Sequence, residues 1–369
     1  MRFIDRTGFA GVLDALARRG FTVVGPTVRD GAVVLDRVEG VDDLPAGVGV
    51  DEGPGRARLE RRDDDRLFGV PHGPDSAKRF LFPARERLAT LVPDAERGFS
   101  VEVSDRDVPR YAFVGLRACD LAAVATQDQV FLGGDHRDGP YAARREGSFF
   151  LAVQCTEPGP TCFCASMGTG PRCATGYDLA LTELPDGFVV EVGTPAGQDV
   201  LDEAGSREAT EDEASAAEAS VREAAARMGR EVETGGLRNL LYRNRSHPRW
   251  AEVAERCLAC GNCTAVCPTC FCHDVVDTPL VTGETERDRE WASCFSEEFS
   301  HLAGHGPVRS SREARYRQWL THKFAGWFDQ FGTSGCVGCG RCIAWCPVGI
   351  DVTEELAAIR RTDHEAVPA

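Results

Sequence analysis

Apolar residues recur along the first half of the chain with the spacings typical of helices and buried strands. Residues 7–19 carry apolar side chains three and four positions apart, from Phe9 to Leu16, which predicts an amphipathic helix. Two continuous apolar runs, 111–116 and 148–153, are typical of strands that are buried on both faces of a sheet. These patterns predict a domain that contains both helices and buried strands.

Shorter patterns complete this picture of the first half. A strand–turn–strand pattern spans residues 177–192, with its turn at residues 185–187. Residues 40–75 are rich in Gly, Pro, Asp and Arg, which favours a long surface loop, and residues 84–88 predict one helical turn. We therefore expect a mixed α/β domain over residues 1–200.

Two cysteine runs of identical spacing dominate the last third of the chain. The first extends from Cys257 to Cys267 and the second from Cys336 to Cys346, and each follows the pattern C-x2-C-x2-C-x3-C-P. This is a ligand pattern of [4Fe–4S] clusters, and in two-cluster proteins the fourth cysteine of each run ligates the other cluster. The predicted ligand sets are Cys257, Cys260, Cys263 and Cys346 for one cluster, and Cys336, Cys339, Cys342 and Cys267 for the second.

Structural zinc sites are the alternative interpretation of these cysteines. A zinc ion would use two C-x2-C pairs and has no need of a three-plus-one pattern that ends in Cys-Pro. The spacing therefore favours two [4Fe–4S] clusters, and two such clusters in one module indicate electron transfer.

The surroundings of the runs indicate the type of ferredoxin module. Residues 268–335 separate the two runs much more widely than in compact bacterial ferredoxins, and residues 311–328 within them are helical in composition. A capping pattern at Asp351 starts a last helix. We expect an α-helical ferredoxin-type dicluster domain over residues 236–369, joined to the first domain by an acidic helical linker over residues 201–235.

Further cysteines form a second candidate site in the N-terminal domain. Cys119 and Cys155 each follow a predicted strand, at the edge where parallel α/β sheets bind ligands. One hypothesis is a third iron–sulfur cluster held by Cys119, Cys155 and one or both of Cys162 and Cys164, with Asp120 as a possible substitute. The alternative is that these cysteines are buried small hydrophobes or a redox-active thiol pair. Their spacing matches no standard ligand run, so both interpretations stay open.

The remaining cysteines and motifs add little chemistry. Cys270 and Cys272 are expected to pack and to form hydrogen bonds near the first run, and Cys294 receives no role. The chain has no G-x-G-x-x-G motif after a strand, no P-loop and no acid–base pair, which argues against a stand-alone flavin or thiol redox enzyme. A structural module, in which the clusters only stabilise the fold, is a further alternative.

Charge and composition exclude several classes of partner. The 369 residues include 58 acidic and 42 basic side chains, which give a net charge of −16. This balance argues against nucleic acid and anionic membranes as partners. No apolar run is long enough for membrane insertion, and the first residues lack the apolar core of a signal peptide, so we expect a cytoplasmic protein.

Four segments together resemble a known family. The segments are residues 115–120, 162–171, 257–272 and 336–351. They resemble sulfhydrogenase beta subunits, which belong to NAD(P)-linked [NiFe] hydrogenases, and equally the dicluster subunit of anaerobic sulfite reductases. The eight ferredoxin-type cysteines match position for position. One departure is Ala118, where many relatives have proline, and it leaves Cys119 and Asp120 in place.

The resemblance implies an electron-transfer subunit without catalytic residues of its own. One expected partner is a subunit with FAD and a [2Fe–2S] cluster that handles NAD(P)H. The other is a catalytic hydrogenase module or, as the alternative, the sirohaem subunit of a sulfite reductase.

Overall fold

The structure is a computed structural model that describes residues 1–103 and 108–363. The elements of its N-terminal part are β1 (Arg2–Ile4), α1 (Arg6–Arg18), β2 (Thr22–Arg29), β3 (Ala32–Arg37), β4 (Val48–Gly53), β5 (Arg56–Arg61), α2 (Lys78–Leu81), β6 (Arg85–Asp94), β7 (Gly98–Val103), β8 (Tyr111–Leu116), α3 (Ala118–Phe131), α4 (Gly139–Glu146), β9 (Phe149–Val153), α5 (Cys164–Met167), β10 (Leu179–Leu184), β11 (Gly187–Val192), α6 (Pro195–Ala204), β12 (Arg207–Glu208) and α7 (Glu211–Ala226).

The C-terminal part is richer in helices. Its elements are α8 (Leu237–Arg243), α9 (Arg249–Arg256), α10 (Asn262–Ala265), β13 (His273–Pro279), β14 (Thr285–Trp291), β15 (His301–Leu302), β16 (Gly306–Pro307), α11 (Arg312–Thr321), α12 (Trp327–Phe331), α13 (Arg341–Ala344) and α14 (Val352–Arg361). A π-helical turn at His322–Gly326 joins α11 to α12.

The N-terminal part is built on a mixed sheet with helices on both faces. Its strand order is β12-β1-β11-β10-β9-β8-β2-β3, and β10, β9, β8 and β2 run parallel. Helix α1 buries Phe9 and Leu16 on one face, and α3 and α4 bury Phe131 and Tyr141 on the other. Strand β9 is buried along its whole length, as its continuous apolar sequence predicts. The predicted first helix, both apolar strands and the hairpin at residues 177–192 are confirmed.

Two local predictions are wrong. The expected loop at residues 40–75 contains the β4–β5 hairpin, and its Leu67 and Phe68 are buried in the core below α1. Residues 84–88 start strand β6 and do not form a helical turn. Both errors have one cause, because these strands are rich in charged residues and their pairing partners are not visible in the local pattern.

The ferredoxin part is not purely α-helical, which corrects another expectation. Its insert contributes β13 and β14, and β14 pairs with β6, so that a four-stranded sheet joins the two halves of the chain. Buried Asp288 in β14 forms ion pairs with Arg85 and Arg87 of β6. Charged strands of this kind lack the apolar alternation by which strands are recognised in a sequence.

The acidic segment at residues 201–235 contains a helix that packs on the N-terminal sheet. Helix α7 buries Ala217, Val221 and Ala224, and Ala217 lies in a small apolar cluster with Phe3 and Val189. Its other face carries the acidic side chains that dominate the sequence. The segment therefore covers part of the sheet in addition to connecting the two halves.

Candidate metal centres

The cysteines of the first run surround a pocket together with one cysteine of the second. The cysteines that line it are Cys257, Cys260, Cys263, Cys342 and Cys346. We call the set predicted for this position (Cys257, Cys260, Cys263 and Cys346) the outer site. Phe295, Tyr316, Trp319 and Ile350 supply apolar walls, whereas Cys260 is exposed.

The cysteines of the second run surround a second pocket. The cysteines that line it are Cys267, Cys336, Cys339 and Cys342. This set, which we call the inner site, is enclosed by Phe163, Trp319 and the buried Lys323. Because Cys342 lines both pockets, the two sites are neighbours.

Local backbone geometry presents these thiols to the pockets. In the first cysteine run, which we call the outer run, Ala259 has a positive φ of 53°, and its amide donates to Cys257 Sγ at 3.4 Å. In the second cysteine run, which we call the inner run, Gly338 has a φ of 65°, and its amide donates to Cys336 Sγ at 3.4 Å. The amide of Ile350 donates to Cys346 Sγ at 3.3 Å. Amide donors of this kind stabilise the negative charge on cluster sulfur atoms.

The chemistry of both pockets fits an iron–sulfur cluster. Five cysteines line the outer pocket and four line the inner pocket, both pockets have largely apolar walls, and thiolates are the usual ligands of such clusters. The described part of the chain holds no group of three or more His, Cys, Asp or Glu side chains suited to a single metal ion. Burial raises the pKa of Cys336 to about 12 and that of Cys263 well above its usual value. Without metal these thiols are therefore neutral, and metal binding would release their protons.

The four N-terminal cysteines also lie together, and we call them the N-terminal site. Cys119 is in the first turn of α3, Cys155 follows β9, and Cys162 and Cys164 precede or start α5; all four are buried. Their thiols are close enough to interact electrostatically: Cys164 raises the pKa of Cys119, and Cys155 raises the pKa of both Cys162 and Cys164. Cys119 and Cys164 share a buried cluster with Cys339 of the inner site.

The Asp120 carboxylate binds Arg117 and Arg341. Its Oδ2 accepts a hydrogen bond from the Arg117 amide at 3.0 Å, and its Oδ1 forms an ion pair with Arg341 at 2.8 Å. It is the third residue of α3, and Arg117 is the residue that precedes the helix. Cys173 also has another contact, because its thiol faces the Val153 carbonyl at 3.8 Å.

The inner site is packed directly against the segment that carries Cys162 and Cys164. A Cβ atom added to Gly338 would lie 2.7 Å from the backbone of Cys164, and one added to Gly340 would lie 2.4 Å from the Thr161 hydroxyl. The amide of Phe163 donates to the Gly338 carbonyl at 2.8 Å. Only glycine fits these two positions of the inner run.

Cys270 and Cys272 lie near the first run, as expected, but sequence reasoning missed that Cys294 and two buried lysines join them. The neighbouring Cys294 thiol lowers the pKa of Cys272 to about 7, and the neighbouring Cys270 thiol lowers that of Cys267. The chain contains only two lysines, Lys78 and Lys323, and both are buried near these thiols. Two signals could have found the group: this restriction of lysine, and the repetition of Pro-Thr-Cys-Phe-Cys at residues 160–164 and 268–272.

Lys323 is a buried cation beside the inner site. Its ammonium donates to the Thr269 hydroxyl at 3.0 Å, and that hydroxyl lies 3.2 Å from Cys267 Sγ. Although burial opposes its charge, the neighbouring Cys267 and Cys270 thiols raise the pKa of Lys323 well above its usual value. The ammonium therefore stays charged beside the sulfur atoms of the inner site.

Comparison with known proteins agrees with this geometry. The family described as a 4Fe-4S dicluster domain matches residues 256–350, which include both cysteine runs. Sulfhydrogenase 2 subunit beta of Pyrococcus furiosus is 33% identical over 258 residues, which cover 68% of this chain and 74% of that protein. No solved structure matches the chain. Within the described residues, none of the helices has the length and apolar character needed to cross a membrane.

Proposed function

This chain belongs to the family of sulfhydrogenase beta subunits, and from that premise we propose that it relays electrons within a multisubunit hydrogenase-type complex. The proposed relay runs between a subunit that carries FAD and a [2Fe–2S] cluster, which handles NAD(P)H, and a catalytic [NiFe] module. The chain contributes ligands, insulation and charge, and it has no catalytic residue of its own in this proposal. A [4Fe–4S] cluster, when bound, supplies one-electron redox chemistry.

The observation that carries the proposal is the adjacency of the two cysteine-lined pockets. Each predicted ligand set combines three cysteines of one run with the fourth cysteine of the other, and Cys342 lines both pockets. Short separations between redox centres are what an electron relay requires. The exposed Cys260 puts the outer site at the surface, where a partner protein can approach it, whereas the inner site is enclosed.

The N-terminal site extends this line of cysteines. We propose that Cys119, Cys155, Cys162 and Cys164 hold a third cluster, since they are buried together and adjoin Cys339 of the inner site. Asp120 is an unsuitable fourth ligand in this proposal because Arg341 and the Arg117 amide already engage its carboxylate. Three sites would then lead from the exposed outer site to the carboxyl edge of the N-terminal sheet.

A second candidate function is that of the dicluster subunit in an anaerobic sulfite reductase complex. The motifs shared with that family are the same ones that carry the proposed hydrogenase role. The name of the Pyrococcus furiosus relative favours the hydrogenase complex. The proteins that co-purify with this chain distinguish the two candidates: a [NiFe] pair supports the first, and a sirohaem protein supports the second.

Iron and acid-labile sulfide per chain, measured on anaerobically purified protein, test the proposed cofactors. We expect about twelve irons for three cubane clusters, whereas about eight would restrict the clusters to the ferredoxin-type runs. Cys155→Ala is expected to remove about four irons, and the matched control Cys173→Ala none. Fewer than about four irons together with bound zinc would contradict the whole proposal.

A further inference from the structure

A small cavity lies at the carboxyl end of β8, where helix α3 begins. Its volume is about 40 Å³, which is room for a few water molecules or one small ligand. Phe68 and Val70 form part of its apolar wall, and the polar side chains that face it include His72, Arg117 and Arg341. Open α/β sheets bind ligands at this edge. The cavity is distinct from the cysteine-lined pockets, because no cysteine lines it.

Two buried side chains at this cavity have unsatisfied hydrogen-bonding groups. Arg341 is 2% exposed, and its Nη1 has no hydrogen-bond partner among the described residues, while its Nε donates to the Gly73 carbonyl at 2.9 Å. His72 is 9% exposed, and neither of its ring nitrogens has a partner in the same part of the chain. Buried polar groups without partners are rare in proteins, and each calls for an explanation such as a bound ligand or water.

The charges around the cavity indicate what kind of ligand would satisfy these groups. Arg117 and Arg341 carry two buried positive charges; Asp120 pairs with Arg341, and the buried carboxyl groups of Glu52 and Glu183 interact with Arg341 and Arg117 respectively. Asp75 also lines the cavity, but Arg79 pairs with it at 2.8 Å. The Arg117 guanidinium donates hydrogen bonds to the carbonyls of Phe68, Val70 and Gln154. Arg117 therefore contributes its positive charge to the cavity, and most of its N–H donors are already used.

Two further features favour a negatively charged ligand. The amino end of the 14-residue helix α3 adds the positive end of a helix dipole to this side of the cavity. The His72 ring, whose two nitrogens have no partner among the described residues, carries at least one N–H donor in either tautomer. Glu183, the other carboxylate near Arg117, faces the amides of Leu67 and Phe68.

We propose that this cavity binds one small oxyanion or carboxylate, held by Arg341 Nη1 and the His72 ring at the amino end of α3. Arg341 would then connect the ligand to the metal sites, because the same side chain interacts electrostatically with Cys339 and Cys119. The proposal does not depend on the electron-relay function. Ordered water that satisfies the same atoms is the competing explanation.

Isothermal titration calorimetry on the full chain, kept anaerobic at low ionic strength, tests this site with two probes. Inorganic phosphate represents the oxyanions and acetate the carboxylates, and each is titrated into a buffer free of both. We expect one saturable site per chain for at least one probe. Saturation by phosphate alone identifies an oxyanion site, and saturation by acetate alone identifies a carboxylate site.

Two variants and a control separate a specific site from general anion binding. His72→Phe keeps a ring of similar size but removes both nitrogens, so we expect affinity to fall about tenfold. Arg341→Gln is expected to abolish binding, with iron content measured in parallel because Arg341 lies within the inner cysteine run. The control is Arg37→Gln, an exposed side chain outside the cavity, which is expected to leave affinity unchanged. No saturable binding of either probe, or equal affinity in His72→Phe, would overturn the proposal in favour of ordered water.

Discussion

The two cysteine runs have the same spacing but very different surroundings. At equivalent positions, Cys260 of the outer run is exposed whereas Cys339 of the inner run is buried. Asn262 is exposed, while its counterpart Arg341 is 2% exposed. The spacing of a run therefore prescribes the ligands it can offer, but the rest of the fold decides the polarity and charge around them.

The same contrast extends to the charged residues next to each site. Lys323 is fully enclosed and lies beside Cys267 and Cys336 of the inner site. The exposed Arg312 interacts with Cys257 of the outer site and donates to the Cys257 carbonyl at 2.9 Å. A buried cation stabilises the more negative, reduced form of a neighbouring cluster and so raises its potential. We therefore expect the inner site to have the higher reduction potential.

The largest expected effect comes from removing the fourth cysteine of a run, because each fourth cysteine is predicted to ligate the cluster of the other run. Cys267→Ala, although it alters the outer run, should remove about four irons and the EPR signal of the inner site. Its matched variant Cys346→Ala should remove the outer signal. Both effects follow because each fourth cysteine lines the pocket of the other run. If each variant removed the cluster of its own run, the crossed assignment would be wrong.

Substitutions at equivalent backbone positions of the two runs should change the free energy of unfolding by different amounts. Gly338→Ala forces a Cβ to 2.7 Å from the Cys164 backbone at a positive φ, so we expect a loss of about 3 kcal/mol in unfolding free energy. At the equivalent position of the other run, Ala259→Gly removes a Cβ atom, and it should change the free energy of unfolding by less than about 1 kcal/mol. Denaturant unfolding under anaerobic conditions measures both. Equal effects would show that the inner run does not depend on its contact with the N-terminal half.

Lys323→Met should lower the potential of the inner site alone. A unit charge roughly 6 Å away, at an effective dielectric constant of about 20, is worth about 3 kcal/mol, or about 120 mV for one electron. Methionine keeps the length of the side chain and removes its charge. Redox titration followed by EPR measures the shift, with Arg312→Met as the control that should leave the inner potential unchanged. A shift of both clusters by the same amount would contradict a local effect of this charge.

The smallest expected effect is produced by placing a cation on the outer run. Asn262→Arg introduces at an exposed position the residue that the inner run has at Arg341. In water the same charge at roughly 6 Å is worth about 0.7 kcal/mol, so we expect a rise of about 30 mV in the outer potential. The shift should shrink further at high salt. A rise as large as that produced by a buried charge would show that the outer site is enclosed in the assembled complex.

Sequence alone was informative where patterns are local. The helix at residues 7–19, the apolar strands and the final helix at Asp351 follow from spacing and capping, and the structure contains all of them. The two predicted four-cysteine sets came from spacing as well, and each lines one pocket, although the ligand assignment stays a prediction.

What the sequence did not reveal depends on contacts between distant segments. Strand β6 pairs with β14 through ion pairs to Asp288, about two hundred residues away along the chain, and no local pattern predicts such pairing. The ion pair of Asp120 with Arg341 likewise joins the two halves of the molecule. The burial of Lys323 beside the inner site is of the same kind. Charges that tune a site are positioned by the fold as a whole.

The most direct test of the proposed relay is an EPR-monitored redox titration of the unmodified complex. We predict two reversible [4Fe–4S] steps from the ferredoxin-type runs, separated by about 100 mV, with the inner site reduced first. In the proposed complex, both steps should also respond to NAD(P)H through the partner that we propose handles this cofactor. Clusters that resist even strong low-potential reductants would contradict the relay and would assign them a purely structural role.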